Sequence, residues 1–132
     1  MADLALQLVT PERKVLDVAC DEVELPGELG HFGVLPGHAR LIALLEIGEA
    51  RYRVGKSESY VAIGGGFAEV ADDRVTVLCD FAELPAEIDL PAAQREQAQA
   101  QEEMKGVGPD TFDAVHAKLE TAEARIQVAN RK

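Results

Sequence analysis

The chain is short of positive charge. Thirteen lysines and arginines face twenty-four aspartates and glutamates, for a formal net charge of −11. Neutralising nucleic-acid phosphates takes a basic face that this composition does not supply, so an unassisted nucleic-acid binder is excluded. The same acidity disfavours direct docking on an anionic membrane. No apolar run approaches the roughly 20 residues that cross a bilayer, and Met1-Ala2-Asp3 lacks the basic start and apolar core of a signal peptide. The expectation is a cytoplasmic protein. Only two cysteines are present, Cys20 and Cys79, each in a strand-like run with no CxxC spacing; they read as buried thiols. No Ser-His-Asp or Cys-His order suggests nucleophilic catalysis. Gly64-Gly65-Gly66 is not a phosphate loop, because no Lys followed by Ser or Thr closes it and a strand-like run follows. It reads as a turn or a close-packing site.

What remains is a chain of 132 residues, 47% apolar and 28% charged, which suits one folded core with room for an appendage. From Leu4 to about Phe81 short apolar runs alternate with turn signals. The runs are Leu4 to Val9, Val15 to Ala19, Glu22 to Leu25, Phe32 to Leu35, Leu41 to Leu45, Ala50 to Val54, Ser59 to Ala62, Phe67 to Val70 and Val75 to Leu78. Alternation puts Leu4, Leu6 and Leu8 on one face and Val75 with Val77 on another, so each strand buries one side. Turns fall at Thr10-Pro11, Pro26-Gly27, Pro36-Gly37, Gly55-Lys56 and Asp72-Asp73, where Pro sets φ and Gly or Asp tolerates positive φ. About ten such strands predict an antiparallel β-sandwich or flattened barrel.

The pattern changes after Leu84-Pro85. Pro91 to Lys105 is rich in Ala, Gln and Glu and predicts a helix with Pro in its first turn. Gly106-Val107-Gly108-Pro109 breaks it, and Asp110 is the expected N-cap of a second helix. Phe112, Val115, Leu119, Ala122, Ile126 and Ala129 recur at spacings of three and four and form one apolar stripe there. The first helix carries only small apolar residues plus Met104, so an antiparallel two-helix hairpin buries little area when docked and is expected to detach. The fold class is therefore mainly β with an α appendage, divided as residues 1–86 (sandwich) and 87–132 (hairpin).

Two glycine-rich signatures lie about thirty residues apart: Gly30-His31-Phe32-Gly33-Val34-Leu35-Pro36-Gly37-His38 and Ile63-Gly64-Gly65-Gly66-Phe67-Ala68-Glu69-Val70. With the link Glu87-Ile88-Asp89-Leu90 and the Ala-rich hairpin, they make the chain resemble, over nearly its whole length, the epsilon subunits of bacterial F-type ATP synthases. The resemblance implies a non-catalytic subunit that couples ion flow through the ring of c subunits to rotary ATP synthesis. The sandwich would sit at the foot of the central stalk against the gamma subunit and the c-ring. Association with the membrane would be indirect, at the cytoplasmic face of the bacterial inner membrane.

The family's contact segment corresponds to Gly30, His31, Phe32, Gly33 and His38, although a satisfied turn histidine is an equal reading of His38. The hairpin would move between a compact state on the sandwich and an extended state among the alpha and beta subunits, where it hinders ATP hydrolysis. Arg125, Arg131 and Lys132 are the basic residues clustered to meet acidic partners there. Nine acids against six bases after Ala86 leave the tail at −3, which predicts weak inhibition.

Some family members bind ATP in the compact state. The matching positions here are Glu83, Ile88, Asp89, Ala93 and Arg125, but Ala92 stands in place of the motif's arginine and Thr121 where a second basic residue is often found. For Asp89 the helix cap is the favoured reading. No cofactor is required on this reading, and ATP would be a weak regulatory ligand.

Two rival classes stay open. One is a free-standing nucleotide-sensing protein. The other is a small β-sandwich metal-dependent enzyme using His31, His38, Glu28 or Asp80. A subunit of a larger assembly, by contrast, should expose an apolar or glycine-lined surface that only partners cover.

Overall fold

The computed structural model describes residues 2–131. Ten strands run in order: β1 (Leu4–Val9), β2 (Lys14–Cys20), β3 (Glu22–Gly27), β4 (Gly30–Val34), β5 (Leu41–Leu44), β6 (Gly48–Val54), β7 (Ser57–Gly64), β8 (Phe67–Ala71), β9 (Arg74–Leu78) and β10 (Phe81–Glu83). A 3-10 turn at Pro85–Glu87 leads to α1 (Leu90–Met104) and α2 (Phe112–Ala129). The nine runs expected from sequence are all strands; the tenth, β10, was hidden by its length of three residues.

The strands form two five-stranded sheets, β2-β1-β9-β8-β5 and β10-β7-β6-β3-β4. Their inner faces enclose the core. Leu4, Leu6, Leu8, Val70, Val75 and Val77 come from the first sheet, and Val23, Leu25, Val61 and Ile63 from the second, all buried. The alternation that put Leu4, Leu6 and Leu8 on one face is thus the alternation of burial along β1.

One pairing departs from the antiparallel sandwich expected. β1 lies parallel to β9, with Leu6 opposite Val75 and Leu8 opposite Val77. This joins the first and next-to-last strands of the sandwich and leaves β2 and β5 as edges of that sheet.

The glycine signature at Gly64–Gly66 is a close-packing corner. A Cβ on Gly66 would strike the Leu78 carbonyl and the Cys79 backbone, and its φ of 102° is one that side-chain-bearing residues rarely adopt. Asp72 and Asp73 take positive φ in the β8–β9 turn, as their type allows.

Both helices form where expected, with two corrections. Asp110 does not cap α2: Thr111 holds the N-cap position, its hydroxyl accepting the Gly108 N–H at 3.2 Å. In addition, the stripe is not the only packed face of α2. Val115, Ala122 and Ala129 are buried, while Leu119 and Ile126 are half-buried and Phe112 is exposed, stacked on His116. A second face, Ala124 and Val128, packs on Ala62 of β7 beside Ile47, Tyr60, Phe81 and Ile88. The hairpin lies in the compact arrangement, α2 against the outer side of the β6–β7 pair.

Candidate functional site

The first glycine signature does not present its residues on one surface. Gly30 opens β4 with φ 121°, and His31, Phe32 and Gly33 follow along this edge strand opposite Pro26, Leu25 and Glu24. Phe32 turns inward against the core. His31 is exposed, its Nδ1 3.5 Å from Glu24 Oε1. It lines a groove with Glu49, Glu120, Glu123, Ala124 and Gln127, where β4 and β6 face α2.

His38 sits elsewhere, in the loop before β5, with Nδ1 2.6 Å from the Ala39 carbonyl oxygen. That loop is tied to the β8–β9 turn, because the Gly37 N–H donates to Asp73 Oδ1 at 2.7 Å. The turn-histidine reading describes His38 well. The metal reading of His31, His38 and Glu28 finds no geometry, since no three His, Cys, Asp or Glu side chains among the described residues come together to hold an ion.

The structure does show an apolar surface that the sequence reading expected in kind but did not locate. On the outer face of the first sheet, Leu44 pairs with Phe67, and Phe67 with Leu78. Leu44 is 60% exposed, Ile42 on the same side of β5 is 70% exposed, and Phe67 and Leu78 are each 39% exposed. The β3–β4 turn meets the end of β5, where the Glu28 N–H donates to the Leu44 carbonyl at 2.9 Å, and carries a further fully exposed apolar residue, Leu29. The signal was present: Leu41-Ile42-Ala43-Leu44 has no polar residue on either face, and a strand wet on one side does not read that way.

The positions matched to nucleotide binding are close together but already engaged. The Asp89 carboxylate accepts the Ala92 N–H at 3.1 Å and caps α1. Ala93 is fully buried. Ile88 packs beside Phe81 under α2. Arg125, its side chain only 15% exposed, has Nε 2.6 Å from Glu83 Oε1 as an ion-pair contact without hydrogen-bond alignment, while Nη2 donates to Glu83 Oε2 at 3.4 Å and Nη1 to Glu96 of α1. Charge-assisted pairs of this kind hold a guanidinium in place.

Arg131 does the same at the end of α2. Its Nε and Nη2 donate to the two oxygens of Glu49, each at 2.9 Å, while the guanidinium lies 4.5 Å from the Tyr60 ring centroid. Lys132 lies outside the described residues. Sequence reasoning found the arginines but missed Glu49, Tyr60 and Glu96, because nothing local shows which strand a helix end will reach.

At the junction between sandwich and hairpin, Arg13 donates to Glu87 Oε1 at 2.7 Å, and the Leu84 N–H reaches the same oxygen at 2.9 Å. The Arg13 contact first, then the Leu84 amide, holds the Glu87 carboxyl below its ordinary value.

Comparison with known proteins places this geometry. Residues 3–85 match the family model for the ATP synthase delta/epsilon chain beta-sandwich domain. The ATP synthase epsilon chain of Citrifermentans bemidjiense is 44% identical over 130 residues, covering 97% of this chain and 94% of that relative. The epsilon chain of Myxococcus xanthus is 43% identical over 133 residues, covering 98% and 97%. Among solved structures, a chain of the Euglena gracilis mitochondrial ATP synthase superposes with a TM-score of 0.83 at 23% identity, over 98% of this chain and 82% of that one. One from the Tetrahymena thermophila mitochondrial ATP synthase central stalk and c-ring superposes with a TM-score of 0.67 at 14% identity, over 97% of each. Those two likenesses speak for the fold; the sequence relatives and the family match carry the membership. The chain belongs to the epsilon-chain family of the ATP synthases.

Proposed function

We propose that the chain is the non-catalytic central-stalk subunit of a bacterial F-type ATP synthase, coupling ion flow through the c-ring to rotary synthesis and regulating ATP hydrolysis. Residues 1–86 dock on the gamma subunit and the c-ring; residues 87–132 form the regulatory hairpin that meets the alpha and beta subunits. The complex places it at the cytoplasmic face of the inner membrane, held there through its partners, and no helix among the described residues is long and apolar enough to cross a bilayer.

The observation that carries this reading is the uncovered apolar face of Ile42, Leu44, Phe67 and Leu78 on an otherwise acidic chain. Such a face wants a protein partner. We assign it to gamma. No cofactor is needed, and ATP is at most a weak regulatory ligand, because Ala92 stands where an arginine would take phosphate.

The test is a titration of an alpha, beta and gamma complex lacking epsilon with the full chain and with its Leu44→Glu, Phe67→Glu variant. The full chain binds and slows hydrolysis modestly, and the variant, whose altered side chains are already exposed, stays folded and loses binding. A variant that binds like the parent removes the apolar face from the interface, and a parent that does not bind removes the whole reading.

A further inference from the structure

We infer that closure of the hairpin is run by an internal ion-pair latch, in which Glu83 and Glu49 of the sandwich hold Arg125 of α2 and Arg131 just beyond its end. The apolar part of the hairpin's seat is small. Its fully buried residues are Ala62, Ala124 and Val128, bordered by half-buried Ile47, Tyr60, Phe81 and Ile88, a modest seat to which directional contacts add.

The Arg131 contact is well formed. Arg131 meets Glu49 with two nitrogens on two oxygens, the fork geometry that favours arginine, and lies over the Tyr60 ring. The Glu49 side chain is 12% exposed, so water competes little for it. The neighbouring carboxylates are occupied elsewhere: Arg51 pairs with Glu22, Glu24 and Glu58. Glu49 is therefore the strand carboxylate left for the helix end. Arg125 adds a second point, bridging Glu83 of β10 and Glu96 of α1, so that one side chain pins both helices to the sandwich.

Two consequences follow. Closure depends on ionic strength, because half-exposed Arg131 is open to screening. It does not depend on nucleotide, because the guanidinium that would meet phosphate is already held. On the proposed function, Glu49 and Glu83 also compete with acidic residues of the catalytic subunits for the same two arginines, which makes the sandwich a rival of the partner that the extended hairpin would seek.

The experiment places a donor–acceptor dye pair on introduced Lys56→Cys and Gln127→Cys in the full chain, both positions exposed and the native thiols buried. At low salt the distance is short. Raising salt to about 1 M, or Glu49→Gln at low salt, increases the open fraction roughly two- to fivefold. The charge-swapped pair Glu49→Arg with Arg131→Glu restores closure, and millimolar ATP moves neither form. An unchanged urea midpoint of the sandwich confirms that the variants fold.

A distance indifferent to both salt and Glu49→Gln overturns the latch, as does ATP closing what salt has opened. In the alpha, beta and gamma complex, Glu49→Gln slows hydrolysis more than the parent does. A variant that opens in isolation but slows hydrolysis no more than the parent leaves the latch standing and overturns the competition for the arginines.

Discussion

Phe81 fills the space that a side chain on Gly64 would need. The two residues pair across β10 and β7, and ring carbons of Phe81 would lie well inside contact distance of a Cβ on Gly64. The ring rests on bare backbone and in turn borders the cluster that seats α2. A glycine in the second signature thereby reaches the hairpin through one aromatic ring. Gly64→Ala is expected to displace Phe81 and to cost about 1–3 kcal/mol of stability, as overpacking does. Urea unfolding measures the loss, and a midpoint equal to the parent's would show that the ring moves aside freely.

The apolar seat of the hairpin is separable from the sandwich core. Val128 is fully buried against Ala62, with neither residue in the cluster between the sheets. Val128→Ala should weaken docking by about 1–3 kcal/mol and speed amide exchange in α2 at least about fivefold, leaving exchange in β1 and β9 unchanged. Equal acceleration in both places would mean that helices and sandwich open as one unit.

Acid should loosen the junction between sandwich and helices. The Glu87 carboxyl is held below its ordinary 4.5 by the Arg13 contact first and the Leu84 amide second. A carboxyl lowered in the folded state stabilises fully above its unfolded value, and that contribution is lost as pH falls through the lowered folded value. The carboxyl resonance of Glu87 should titrate below 4.5 and move up toward it in Arg13→Gln, the Leu84 amide still holding part of the shift. Identical titrations in parent and variant would remove Arg13 as the cause.

Both thiols should be inert in the native protein. Cys79 is buried and its thiol is pushed up to about 11 by that burial, then by Asp80; Cys20 is shifted upward for the same leading reason. At pH 8 a disulfide reagent should label neither cysteine until denaturant is added, because the reactive thiolate is both scarce and inaccessible. Rapid labelling of one thiol in the native chain would locate a local opening.

A chain ending after Ala86 should bind the alpha, beta and gamma complex without slowing hydrolysis, since the apolar face of the first sheet lies wholly before that point. Slowing equal to that of the full chain would move the brake out of the helices.

The local pattern was legible for local reasons. Strict alternation in Leu4 to Val9 and Arg74 to Leu78 marks one wet and one dry face whatever the partner strand, and Pro91 after Asp89 marks a helix start whatever the helix packs on. The short strand Phe81–Glu83 had too few residues to alternate. Thr111, not Asp110, takes the N-cap position, and its hydroxyl is turned back to the Gly108 amide and not onto the first amides of α2, a turn through Gly108 and Pro109 that residue type alone does not reveal.

By itself the sequence determined the two-part character of the chain, its one core and its family, since these follow from periodicity, turn chemistry and paired signatures carried in short segments. Only the tertiary structure decided that β1 runs parallel to β9, that Ile42, Leu44, Phe67 and Leu78 merge into one exposed face, and that Arg131 reaches Glu49 across 82 positions of chain. Each of those joins residues far apart in sequence, and such contacts are selected by how the whole core closes, not by the preferences of the segments that meet.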